Sequence, residues 1–142
     1  MFSNSGETDP VWSSPQTVTS SADGIYSVFA ADLDKDGDMD VLGSGYWYEN
    51  NGSQSFTAHS IAIGGSSIQA VDMDKDGDID IVTTDVGEDK ISWHENDGSE
   101  NFSTVNIATS VHGPQDVHVK DIDNDGDKDI VAPRQDYDCL LY

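Results

Sequence analysis

The chain reads as an all-β protein assembled from repeated four-stranded antiparallel units. Two repeats predict this. A nine-residue acidic loop occurs three times, with β-branched and aliphatic runs on its flanks. Behind the first two loops, an aromatic run followed by Asn-Gly or Asp-Gly also recurs. The loops begin at Asp32, Asp72 and Asp121, so the unit returns after 40 and then 49 residues.

The first loop is Asp32-Leu33-Asp34-Lys35-Asp36-Gly37-Asp38-Met39-Asp40. The second is Asp72-Met73-Asp74-Lys75-Asp76-Gly77-Asp78-Ile79-Asp80. The third is Asp121-Ile122-Asp123-Asn124-Asp125-Gly126-Asp127-Lys128-Asp129. Acids at loop positions 1, 3, 5 and 9 around a glycine at 6 are a calcium-loop spacing. Ca²⁺ takes roughly six to eight oxygens at ~2.4 Å, so several carboxylates must converge on one point. Asp is short enough for alternate residues of a tight loop to aim inward. Gly at position 6 permits the sharp turn, and the carbonyl of position 7 can add a ligand. A solvated acidic loop is the competing reading, and three copies in register argue against it.

An EF-hand needs Glu at position 12 and a helix on each side. Position 12 is Gly43, Thr83 and Ala132, so that reading fails three times. The residues that follow, Val41-Leu42, Ile81-Val82 and Ile130-Val131, read as strands, as do Ile25 to Ala30 and Val117 to Val119 before the loops. Each loop therefore joins two strands. The next element is aromatic: Trp47 to Phe56 matches Trp93 to Phe102, with Asn51-Gly52 or Asp97-Gly98 as a tight-turn signal. Phe56 to Ala62 and Phe102 to Ala108 read as fourth strands. Four strands at this period are the signature of a propeller blade.

In chain order, residues 11–19 read as a leading fourth strand, with Trp12 in the place of Phe56 and Phe102. Thr19 to Asp23 is a Ser-rich linker. Residues 25–62 form blade 1 and 67–108 blade 2. Residues 114–142 form blade 3 without its fourth strand, with Cys139 to Tyr142 set where Lys90 to Trp93 sit in blade 2. Residues 1–142 are thus one propeller half-domain of three blades. Propellers close with about 4 to 8 blades, so two chains are expected to close a six-bladed ring, the leading strand of one completing blade 3 of the other.

Composition narrows the function. The net charge is −22, and 15 of the 28 acids lie in the three loops, which gives most of the excess a specific task. Such a surface argues against nucleic acid, which needs basic patches. Hydrophobic content is only 35%, so the core is modest and metal is expected to supply part of the stability. Cys139 is the single cysteine, which leaves no intrachain disulfide. Met1 to Pro10 shows no apolar signal-peptide region, and no run reaches transmembrane length.

On these loops the chain resembles VCBS/FG-GAP-type repeats, the calcium-bearing blades of integrin-α-like β-propellers. The Phe-Gly and Gly-Ala-Pro signatures are absent and only Ala132-Pro133 is similar to them, so the VCBS type is the nearer likeness. The resemblance implies calcium ligation by the side chains of Asp32, Asp34, Asp36 and Asp40, of Asp72, Asp74, Asp76 and Asp80, and of Asp121, Asp123, Asp125 and Asp129. It implies main-chain carbonyl ligands from Asp38, Asp78 and Asp127, and about three Ca²⁺ per chain.

Other candidates read as structural. Trp47 and Trp93 are expected to pack blade on blade rather than stack on sugar. His59, His112 and His118 lack zinc spacing. Glu49 and Glu95 repeat once per blade, whereas a catalytic pair is a single asymmetric constellation. The expectation is therefore a non-catalytic binding or adhesion module, extracellular or at the cell surface, with a glycan or protein ligand and no membrane insertion. The alternative is a propeller fragment of a secreted carbohydrate-active enzyme such as a polysaccharide lyase. A calcium sensor is disfavoured, because sensors need a bistable element.

Overall fold

A computed structural model describes residues 15–21, 24–43, 45–61, 63–135 and 138–142. They form eleven strands in three antiparallel sheets, and no helix. In the first sheet β1 (Val28–Ala31), β2 (Asp40–Gly43), β3 (Tyr46–Asn50) and β4 (Phe56–Ser60) pair in sequence order. The second repeats this with β5 (Ser67–Val71), β6 (Asp80–Asp85), β7 (Lys90–Asn96) and β8 (Phe102–Thr109). The third pairs β9 (His118–Lys120), β10 (Asp129–Pro133) and β11 (Cys139–Leu141). The leading strands neighbour one another: β1 lies against β5, and β5 against β9.

Two cores hold the sheets together. Leu42 and Trp47 from the first sheet meet Ile68 and Ile81 from the second, with Leu33 and Ile63 completing the layer. Val82 and Ile91 from the second sheet meet Ile130 and Ala132 from the third, with Val111 and Val117 completing the layer. Strand β6 is buried on both faces. Its successive side chains point to opposite sides, so Ile81 enters one core and Val82 the other. Fully burying such an aliphatic side chain stabilises by about 1.5–3 kcal/mol. Trp47 and Trp93 are spent on this packing, Trp47 inside the first core and Trp93 against the second.

Among the described residues no sheet covers the two outermost faces. Val28 and Val41 stand on the first sheet where Ile68 and Ile81 stand on the second, yet Val28 is 62% exposed. With Thr17 to Thr19, Ile25, Phe29 and Tyr48 they line a cavity of about 560 Å³. On the third sheet Leu141 is 61% exposed.

Of the leading strand expected at residues 11–19, Val11 to Ser14 fall outside the described residues, and Thr17 to Thr19 lie along the first sheet's outer face. Two details differ from the sequence reading. The Asn51-Gly52 and Asp97-Gly98 connections are five-residue loops rather than two-residue turns, closed by Asn51 N–H to Ser55 O and Asp97 N–H to Asn101 O. In β11 the register is shifted by one residue. Leu141, not Tyr142, pairs with Val131 as Trp93 pairs with Val82. The chain from Val131 to its partner Leu141 is one residue shorter than that from Val82 to Trp93, and a one-residue slip turns every side chain to the other face.

Candidate metal centre

Each acidic loop is the connection from the first to the second strand of its sheet: β1 to β2, β5 to β6, β9 to β10. The three share one internal hydrogen-bond pattern. The position-3 carboxylate accepts from the position-5 N–H: Asp34 from Asp36 at 3.1 Å, Asp74 from Asp76 at 3.2 Å, Asp123 from Asp125 at 3.1 Å. The position-5 carboxylate accepts from the position-7 N–H, at 2.8, 2.8 and 2.9 Å. The position-1 Oδ2 accepts from the glycine N–H at position 6, at 3.1, 3.1 and 3.0 Å. These short bonds wind the chain so that alternate carboxylates share one side. The glycines adopt φ of 96°, 93° and 98°, which only glycine takes without strain.

Position 9 closes the loop from the strand side. Asp40 Oδ2 accepts from Leu33 N–H at 3.0 Å, Asp80 from Met73 at 3.0 Å, and Asp129 from Ile122 at 2.8 Å. In the first two loops the other oxygen accepts from a third-strand amide, Asn50 N–H or Asn96 N–H, each at 2.8 Å. Asp40 and Asp80 are fully buried. Among the described residues no third-strand amide reaches Asp129.

The convergent groups follow from this. Oxygens of Asp32, Asp34 and Asp36 lie within 4.8 Å of one another, as do those of Asp72, Asp74 and Asp76. In the third loop the group is Asp121, Asp123 and Asp129. Positions 1 and 3 are thus gathered in every loop, position 5 in two and position 9 in one. Asp125 stands outside its loop's group, and Asp40 and Asp80 brace the backbone beneath theirs. The side chains of Asp78 and Asp127 turn away to lysines, and that of Asp38 lies against Gly52.

The electrostatics suit a cation. Asp32 Oδ1 and Asp121 Oδ1 are buried and receive no donor. A buried carboxylate oxygen without a partner is costly, and a hard cation is the partner its chemistry fits. Burial raises the Asp34 carboxyl, with Asp40 and Asp36 adding like-charge repulsion. Burial also raises Asp80, against the lowering effect of the Asn96 and Met73 amides.

Sequence reasoning missed the asparagines at the end of β3 and β7. Besides its backbone bond to position 9, Asn50 donates Nδ2–H to Met39 O at 3.1 Å, and Asn96 donates to Ile79 O at 3.2 Å. Each thus holds the position-8 carbonyl and the position-9 carboxylate of its loop together. The signal was present as the repeated Trp-x-Glu-Asn of Trp47 to Asn50 and Trp93 to Asn96. The following glycines seat the hairpin loop on position 7. A Cβ at Gly52 would lie 2.5 Å from Asp38 Oδ2, and one at Gly98 2.7 Å from Asp78 Oδ2.

Residues 72–132, from the first acid of the second loop to the strand behind the third, match the FG-GAP-like repeat family. No curated protein and no solved structure matches the chain.

Proposed function

Because residues 72–132 carry an FG-GAP-like repeat, we propose that this chain is a calcium-stabilised β-propeller module. It acts without catalysis, outside the cytoplasm, presenting a rigid surface to a glycan or protein. The observation that carries the reading is the threefold convergence of carboxylates with a donorless buried oxygen at Asp32 and Asp121. Asp32, Asp34 and Asp36 would hold one ion, Asp72, Asp74 and Asp76 a second, and Asp121, Asp123 and Asp129 a third. Asp40, Asp80 and Asp125 would stand beside them, with the carbonyls of Asp38, Asp78 and Asp127 as further oxygens. Bound calcium supplies positive charge to carboxylates that otherwise repel, and so ties the first strand of each sheet to the second.

A ligand that binds only the folded state stabilises it by mass action, about 2.7 kcal/mol per site at a hundredfold excess over Kd. Thermal melts with calcium and with a chelator are therefore expected to differ by many degrees. Equal melting temperatures in the two samples overturn the reading.

The same reading extends to assembly: two chains close a six-bladed ring. The argument is the repeat itself. Val28 and Val41 on the first sheet occupy the positions of Ile68 and Ile81. Val131 and Leu141 on the third occupy those of Leu42 and Trp47. The two open faces are thus the two halves of the interface that already joins sheet to sheet twice. A second copy offers each face its complement.

A further inference from the structure

The fourth residue of every acidic loop has a left-handed backbone: φ is 63° at Lys35, 67° at Lys75 and 63° at Asn124. Among residues with a side chain, Asn tolerates this conformation best. The third loop therefore shows that loop closure needs nothing a lysine supplies. What the lysines supply is reach. Lys35 Nζ donates to Asp78 Oδ1, at position 7 of the second loop. Lys75 Nζ donates to Asp127 Oδ1 at 2.6 Å, at position 7 of the third. The same bridge is made twice, each time from one sheet to the next.

The acceptors are also specific. Asp78 and Asp127 are acids that the convergent groups leave out. Their carboxylates are free to take a lysine without drawing a member from either group. Each ammonium lies in the field of the neighbouring loop too: Asp76 and Asp72 act on Lys35, and Asp125 and Asp121 on Lys75. Of the six basic side chains in a chain of net charge −22, two are placed at these junctions.

We propose that Lys35 and Lys75 are inter-sheet clasps that fasten each acidic loop to the next, making the three loops one coupled row. This goes beyond the calcium reading and does not rest on it, since neither partner's side chain belongs to a convergent group.

A double-mutant cycle tests it: Lys35→Asn, Asp78→Asn and the pair, melted in calcium buffer at low ionic strength. Lys35→Asn installs the residue the third loop already uses at the same φ, so any local backbone effect cancels in the cycle. Each single change is expected to lower Tm by about 1–3 °C, as for a part-exposed ion pair, and the pair to be no worse than either. The non-additivity should vanish near ~1 M salt, and Lys35→Arg should retain the wild-type Tm. Lys35→Asn combined with Asp127→Asn, which share no bridge, should be additive. The Lys75–Asp127 cycle should give a smaller coupling, because Asp127 is 80% exposed against 20% for Asp78. A cycle with Lys35→Gln repeats the measurement with the side-chain length kept. Additive losses for Lys35 and Asp78 in both cycles, unchanged by salt, overturn the proposal. Because every sample contains calcium, a failed cycle and a failed calcium reading are separate results.

Discussion

His94 is a buried imidazole held between two hydroxyls. Its Nε2 is 3.0 Å from Thr83 Oγ1 and its Nδ1 2.9 Å from Thr104 Oγ1. Burial, with a minor contribution from Lys90, lowers its pKa from 6.5 to about 4. The unfolded chain therefore binds a proton that the native chain refuses between those values. Stability from this residue is complete above pH 6.5 and is lost as pH falls towards 4, by about 3 kcal/mol in all. His94→Gln should flatten that part of the acid limb in urea titrations, and a curve parallel to wild type would refute it. Asn96 makes a second prediction. It is buried, donates to Ile79 O and accepts from Gly98 N–H at 3.2 Å. Asn96→Ala leaves that carbonyl without its donor and should cost about 1–3 kcal/mol by denaturant unfolding. Asn50 is less buried and should cost less. The repetition of both asparagines was legible in the sequence. Their role was not, because a bond from strand to loop depends on strand pairing, which spacing along one segment does not encode.

The strands and loops were the most legible elements, for a physical reason. Ile81 to Thr84 of β6 are an unbroken β-branched run because both faces of the strand are buried, and the loop pattern is dictated by oxygens that must meet. Legibility failed where a connection sets the outcome. Counting 49 residues from loop to loop placed Tyr142 opposite Val131. The true partner is Leu141, since the span from Val131 to its partner is one residue shorter than that from Val82 to Trp93. Likewise the acids at positions 1, 3, 5 and 9 look equivalent in sequence. The structure separates them: Asn50 and Asn96 occupy one oxygen of Asp40 and Asp80, and the convergent group holds position 9 in the third loop alone of the three. Asp74 is exposed and stands in the second loop's convergent group. Asp74→Ala should lower the bound-calcium count by one in calorimetry, leaving two carboxylates facing each other. Retention of three tightly bound ions by this variant would remove Asp74 from the ligand set.

Among the described residues two sheet-to-sheet cores hold the sheets together, and no further sheet covers the two outer faces, which repeat the same chemistry. Light scattering in calcium buffer should give twice the 15.3 kDa chain mass; a uniform single-chain mass would defeat ring closure. Leu141→Asp places a charge on the third sheet's open face and should shift the mass to that of one chain while leaving both internal cores intact. The three-sheet architecture was readable from the threefold repeat. The way the second and third sheets share one core was not, because which side chains face which sheet follows from register. Faces that complement each other head to tail carry a further consequence. Such a contact makes a ring only when the rotation from one sheet to the next divides a full circle; otherwise it propagates as a helical fibre. Were copies to join in this way, the packing of Trp47 in the first core and of Trp93 against the second would bear on that rotation as well as on stability. Trimming either one would then shift the balance between a bounded particle and an unbounded thread.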